Sequence, residues 1–177
     1  MSQKSLFIII NLIFGSILLY TYYRGVTSNP EIASKLWGGV PTHLIKYIVS
    51  SMFLGAIGYF FFTYYIIFKV DHNTLVVFNK YNFQLFIILY LLILIPSCFW
   101  IDLSIHYVIN QNPLIWKIIV LVLYTVGISS LILLFSFLSI NPNDGSILYK
   151  IAIIGCIFFT FHTFFLDGLL WTIYFHK

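Results

Sequence analysis

Long apolar runs separated by short polar stretches are the main pattern of this chain. A helix needs about 20 apolar residues to cross the ~30 Å hydrocarbon core of a bilayer, and five runs come near or exceed that length. The runs are Leu6–Tyr23, Leu44–Phe68, Phe83–Tyr107, Leu114–Ile140 and Ile147–Tyr174. They are apolar on every face, whereas the strands of a membrane barrel span ~10 residues and alternate in polarity. The pattern predicts an all-α polytopic membrane protein, a bundle of five transmembrane helices with short loops in one domain over residues 1–177.

The first run has to be compared with a signal peptide. Lys4 gives it a weakly positive start, but the run is longer than the roughly 7–15 apolar residues typical of such peptides. It ends in Tyr20, Tyr22 and Tyr23. Tyrosines of this kind anchor helices at a membrane interface, and a cleavage site would carry small residues instead. We therefore expect a retained helix.

The segments between the runs are too short to form a soluble domain. The longest, TSNPEIASKLWGGVP at 27–41, contains two prolines and a Gly-Gly pair, and the next covers residues 70–81. The segments NQNP at 110–113 and NPNDG at 141–145 have the Asn, Pro and Gly residues typical of tight turns. We expect one compact bundle.

Composition excludes a soluble protein. Charged residues make up 8% of the chain and hydrophobic residues 61%, whereas soluble domains carry about 25% charged residues. The nine Lys and Arg residues form no cluster, so no nucleic-acid partner is expected. Cys98 and Cys156 form no C-x-x-C pair, which gives no indication of structural zinc or a disulfide framework. The predicted location is an integral, multi-pass position in a membrane that the sequence does not identify.

Polar residues are concentrated in one half of the predicted bundle. Five spans place the ends of the first, third and fifth helices and the starts of the second and fourth on one side of the membrane, which we call side B; the opposite side is side A. The Asp and His residues within or next to a span in the side-B half are His43, Asp102, His106, His162, Asp167 and His176, and the tryptophans near that boundary are Trp37, Trp100, Trp116 and Trp171. The side-A half is almost entirely aliphatic and rich in Phe.

Asp167 lies deepest among the carboxylates. An ionised Asp that faces lipid costs ~3 kcal/mol or more, so we expect Asp167 to face the bundle or a wet cavity. In an α-helix, His162 lies five residues earlier and roughly 140° away, so these two side chains are not expected to pair. Asp167 would instead meet His106 or His43 across helices. Asp102 and His106 are four residues apart on one face and are expected to be able to touch.

Small residues on the second run predict a close helix contact. Ser51, Gly55 and Gly58 form a strip along which a neighbouring helix can approach. Gly15 and Ser16 on the first run are a candidate for the matching strip.

Three classes of function fit these residues. The first is binding or translocation of a small apolar ligand or a proton at a site made of Asp102, His106 and Asp167. Further candidates for this site are His162, His43, Trp100 and Trp171. The second is a structural subunit without a site of its own, in which the Asp and His residues make helix contacts. The third is a small lipid-modifying membrane enzyme. Enzyme activity therefore stays open.

The histidines do not predict a metal site, because H-x-x-x-H and H-E-x-x-H spacings are absent. No cofactor is identified by any motif. The expected partners are the lipid bilayer and an apolar small molecule, and a homo-oligomer or a larger membrane complex is left open.

Overall fold

The computed structural model describes residues 2–176 and consists mainly of five long helices. These are α1 (Gln3–Ser28), α2 (Thr42–Phe68), α3 (Gln84–Asn110), α4 (Pro113–Leu138) and α5 (Ile147–Tyr174). Each helix is long and apolar enough to cross a membrane. The predicted class, a multi-pass bundle of five helices, is therefore confirmed, and the chain has the features of an integral membrane protein.

Side chains next to the helices fix several of the starts. Ser146 accepts a hydrogen bond from the backbone N–H of Tyr149 at the start of α5, and Asn112 accepts one from Leu114 at the start of α4. Such caps satisfy N–H groups that have no partner within the helix. Helix α1 continues to Ser28, five residues beyond the predicted span. The rest of that connection contains a one-turn helix, Pro30–Ala33, and a 3₁₀ turn, Lys35–Trp37.

Helices α5 and α3 each pack against two other helices of the bundle. Helix α5 packs along α2 and against α4, and α3 packs along both α4 and α1. The closest approach joins α2 to α5, where a Cβ atom added at Gly58 would lie 2.4 Å from the carbonyl oxygen of Gly155. The predicted strip on α2 is thus a contact surface, but its partner is α5. A Cβ atom added at Gly15 of α1 would meet nothing within 4 Å, so the proposed matching strip on α1 was wrong.

The side-A half of the bundle has a continuous aromatic core. Its fully buried rings are Phe7, Phe62, Phe83, Phe86, Tyr90 and Phe137. Many of them meet edge to face, with ring centroids such as Phe7–Tyr90 at 4.4 Å and Phe86–Phe137 at 5.7 Å. This arrangement is favourable for aromatic pairs and fills the space without polar groups.

The side-B half is packed differently. Its buried apolar residues form two smaller clusters, one around Ile119, Leu123 and Trp171 and the other around Leu36 and Ile101. The helices in this half therefore share no single core, and polar side chains lie among the aromatic rings.

Candidate functional site

A long π-helical segment shapes the site. Within α5 the chain is α-helical over Ile147–Thr160, π-helical over Phe161–Trp171 and α-helical again over Thr172–Tyr174. Hydrogen bonds in a π-helix join residues five apart, so side chains five apart lie nearly above one another. The Nε2 atom of His162 is consequently 3.4 Å from Oδ2 of Asp167, within ion-pair distance. The prediction that these residues face different directions was wrong, because it assumed α-helical spacing.

Contacts with α4 hold the π-helical segment in place. The hydroxyls of Ser130 and Thr163 are 2.7 Å apart, and the Thr160 hydroxyl donates a hydrogen bond to the Ser130 carbonyl oxygen at 3.0 Å. Gly127 lets α4 approach closely, since a Cβ atom there would lie 3.0 Å from the Cα atom of Phe164. Gly168 leaves room for the Thr163 carbonyl oxygen, which lies 3.3 Å from where its Cβ atom would be. These residues give α5 polar and steric support where its hydrogen-bonding pattern changes.

Asp167 lies well inside helix α5, and its side chain is still partly exposed. It precedes the end of α5 at Tyr174 by seven residues, which is ~10 Å of helix. Its side chain is 30% exposed, while that of His162 is 12% exposed. At this depth the exposed part of a carboxylate faces lipid or a groove between helices, where a lone charge is costly. His162 offsets part of that cost, and it lies beside Gly55 of α2.

Asp102 forms a different ion pair from the expected one. A single nitrogen of the Arg24 guanidinium donates to both oxygens of Asp102, and the two side chains are 47% and 43% exposed. The predicted neighbour, His106, instead contacts Asn110, with Nδ1 3.2 Å from the amide nitrogen. The guanidinium of Arg24 reaches Asp102 from α1, and a guanidinium is well suited to bind a carboxylate. The Arg24–Asp102 pair joins α1 to α3 in the side-B half.

The histidines predicted to meet Asp167 across helices do not do so. His106 and His43 are both exposed at the side-B ends of their helices. His43 is twelve residues from Gly55, the α2 residue next to His162, which corresponds to ~18 Å along the helix. That prediction was therefore wrong. The structure places His43 and His106 at the side-B ends of their helices and Asp102 in a pair with Arg24, apart from the Asp167–His162 pair.

Tryptophan rings surround the pair on its side-B flank. The ring of Trp100 is stacked on Tyr22 at 5.6 Å and meets the ring of Trp171 edge to face at 5.8 Å. The Trp171 indole N–H donates to the Leu36 carbonyl oxygen at 2.9 Å. Sequence reasoning missed Tyr22, whose only signal was its position at the end of the first span.

Four buried polar atoms have no hydrogen-bond partner within residues 2–176. They are the Ser51 hydroxyl, the Trp100 indole nitrogen, the Ser104 hydroxyl and Nδ1 of His162. All four lie in the side-B half. Each enclosed polar group without a partner costs about 1–3 kcal/mol, and most proteins avoid that cost. All four lie in the same half of the bundle as Asp167.

A surface cavity lies near this region. It has a volume of about 410 Å³ and opens on side B between the ends of α3 and α5, with Tyr107, Gln111 and Phe175 among its lining residues. Phe175 packs on Trp171 with ring centroids 4.6 Å apart, so the aromatic cluster separates the cavity from Asp167. No group of three metal-ligating side chains forms in the part of the chain that the structure describes.

In comparisons with known proteins, no family model, curated protein or solved structure matches this chain.

Proposed function

We propose that this protein binds a small membrane-soluble molecule in the side-B half of its bundle, with Asp167 and His162 contacting the polar group of that molecule. The observation that carries the proposal is the position of Asp167, ~10 Å inside α5 yet 30% exposed. A carboxylate placed this deep and still accessible has a large free energy to gain from a partner that brings a hydrogen-bond donor. The four unpaired atoms in the same half support a partner that is itself polar at one end.

The side-A half favours binding over translocation. Transport of a proton requires a continuous polar path across the bilayer. In this half the Thr63 and Tyr90 hydroxyls bond to each other at 2.8 Å, and the Tyr59 hydroxyl donates to Asn11. These groups lie among fully buried aromatic rings, and no unpaired buried polar atom occurs in the side-A half of residues 2–176. We therefore favour binding in the side-B half over translocation across the whole bundle.

Native mass spectrometry of protein extracted gently from its own membrane tests the proposal. The wild-type protein is expected to carry a reproducible additional mass. Asp167→Asn should lose most of it, because the carboxylate that holds the polar group is gone. Asp102→Asn is the matched control, since it removes a carboxylate at a similar distance from its helix end that is already paired with Arg24, and it should retain the additional mass. Both variants are first compared with wild type by size-exclusion chromatography to verify folding.

Two results would overturn the proposal. One is a wild-type protein without additional mass, or with a mass that Asp167→Asn retains in full. The other is a protein that occurs only in a larger complex from which Asp167→Asn dissociates, which would assign Asp167 to a contact between subunits. Proton uptake into liposomes that depends on Asp167 would favour translocation instead.

A further inference from the structure

A surface cavity on side B has the features of an anion-binding site. It is the cavity of about 410 Å³ between the ends of α3 and α5, and ligand pockets commonly have volumes of about 300–1,000 Å³. Lys35 gives its wall a positive charge, and no Asp or Glu lines it within residues 2–176. The charge lining this cavity therefore favours an anion over a cation.

Several hydrogen-bond donors line the same cavity. The Tyr107 hydroxyl and Nε2 of His176 are 3.5 Å apart, and Gln111 follows the last residue of α3. Among the residues that the structure describes, the side chains of Lys35 and Gln111 have neither a hydrogen-bond nor an ion-pair partner. Ammonium, amide and phenol groups can all donate hydrogen bonds. An anion with several acceptor oxygens, such as a phosphate, can use these donors together.

The turn that carries Lys35 is fixed against the end of α5. The Gly39 N–H donates to the Phe175 carbonyl oxygen at 3.3 Å, and the Leu36 carbonyl oxygen accepts from an indole N–H of the same helix. Gly38 has a φ of +52°, and a Cβ atom there would lie 2.5 Å from the Phe175 carbonyl oxygen, so glycine is required at this position. This wall of the cavity is in place before a ligand binds, which lowers the entropic cost of binding.

A second cavity, on side A, has a different pattern of charge. It has a volume of about 170 Å³ and is lined by Lys69, but also by Asp71 and Asp144. The two carboxylates offset the attraction of the single ammonium group and would repel an anion. Of these two cavities, the one on side B is thus suited to a phosphate.

The position of the side-B cavity indicates where its ligand comes from. It opens at the ends of two membrane-spanning helices. The packed rings of Tyr107, Trp116 and Phe175 lie beside it, with centroids 5.0, 5.3 and 5.8 Å apart. Aromatic rings at the ends of spans lie at the level of the lipid headgroups, and basic pockets at that level bind anionic headgroups.

We propose that the side-B cavity binds the phosphate of an anionic membrane phospholipid. Lys35 pairs with the phosphate, the side chains of Tyr107 and Gln111 donate to its oxygens, and the ring of Phe175 contacts the apolar part of the lipid. A zwitterionic lipid fits less well, because its cationic group finds no carboxylate among the described lining residues. The aromatic cluster separates this cavity from Asp167, so the proposal does not depend on the binding function above.

Three probes test the proposal on the full chain, freed of lipid in an uncharged detergent and followed by native mass spectrometry. Dioctanoyl phosphatidylglycerol is the anionic probe and should bind as one tight equivalent. Dioctanoyl phosphatidylcholine has the same chains and a phosphate, but its added cation has no partner in the cavity, so it should bind about tenfold more weakly. Inorganic phosphate lacks the apolar part and should not displace the anionic lipid at equal concentration.

Two lysine variants separate the cavity from general attraction to charge. Lys35→Gln should weaken binding of phosphatidylglycerol about fivefold, because a charge-assisted contact is lost at an exposed site. Lys46→Gln is the matched control, since it removes the same charge from an exposed position on the same side but outside the cavity, and it should change binding less than twofold. Tyr107→Phe keeps the ring and removes one donor, so it should weaken binding about two- to threefold. Size-exclusion chromatography verifies that each variant is folded.

Equal weakening by Lys35→Gln and Lys46→Gln would overturn the proposal, because it would show attraction to the whole side-B surface. Equal binding of the two lipids, or no binding of phosphatidylglycerol, would overturn it as well. Displacement by inorganic phosphate at equal concentration would replace the lipid by a free phosphate. The two proposals fail separately, since Lys35→Gln should remove the phospholipid and leave the additional mass that depends on Asp167.

Discussion

The contact between His162 and Asp167 can be measured as a coupling free energy. The cycle uses His162→Gln, Asp167→Asn and the double variant. At 3.4 Å, the two side chains are close enough to attract each other directly. Desolvation opposes this attraction, and polar pairs within membranes have measured couplings of about 0.6 kcal/mol on average and up to about 1.7. We expect a coupling of about 0.6–1.7 kcal/mol.

The two single variants should lower the free energy of unfolding by different amounts. His162→Gln leaves a carboxylate deep in the bundle without its partner. Loss of one member of a fully buried pair costs about 3–5 kcal/mol, and the 30% exposure of Asp167 lowers that to roughly 2–3 kcal/mol. Asp167→Asn removes the charge and should cost less, because a neutral amide is more easily accommodated.

Reversible unfolding in mixed micelles, followed by tryptophan fluorescence, provides the free energies of unfolding. A second cycle with His162→Gln and Asp102→Asn is the control and should be additive, because those residues share no contact partner. A coupling below about 0.3 kcal/mol for His162 and Asp167 would refute the reasoning. It would mean that residues 161–171 are α-helical, with the two side chains roughly 140° apart.

Two further predictions concern packing and the side-A loops. Gly58→Ala should lower the free energy of unfolding by about 1–3 kcal/mol, because its Cβ atom would lie 2.4 Å from the Gly155 carbonyl oxygen. Gly15→Ala, at an open position, is the control and should be neutral or slightly stabilising. Equal effects of the two substitutions would contradict the close contact between α2 and α5. Burial raises the pKa of Asp144, but hydrogen bonds from Ser146 outweigh it and hold the pKa below its ordinary value. A carboxyl group whose pKa is lower in the folded than in the unfolded protein stabilises the fold at pH values above its unfolded-state pKa. This contribution disappears as the pH falls through the folded-state pKa. Asp144→Asn should therefore lower the melting temperature by at most a few degrees at pH 7 and by less near pH 3; a difference that grows on acidification would contradict the sign.

The small-residue strip on α2 shows which part of a helix contact the sequence alone could not predict. Ser51, Gly55 and Gly58 indicated a close helix contact from their spacing alone, and α2 does make one. Which helix approaches depends on how five helices pack together, and the structure gives that place to α5 at Gly155. Spacing along one helix carries no information about the neighbour.

The same limit applies to the site. The depth of Asp167 and the cost of a charge in a bilayer were sufficient to select it as a candidate. Its partner depended on the hydrogen-bonding pattern of α5. Nothing in FHTFFLDGLLW marks a π-helix, whose support comes from Ser130 and Gly127 on another helix.

By itself, then, the sequence determined that this chain forms five membrane-spanning helices with its polar residues gathered toward one side. Those conclusions follow from the thickness and low polarity of the bilayer, which act on each segment separately. Only the tertiary structure decided that His162 pairs with Asp167 and that Arg24 forms an ion pair with Asp102. Pairings of this kind depend on local helix geometry and on residues far apart in the chain, because a side chain bonds to whichever partner the packing of neighbouring helices brings within reach.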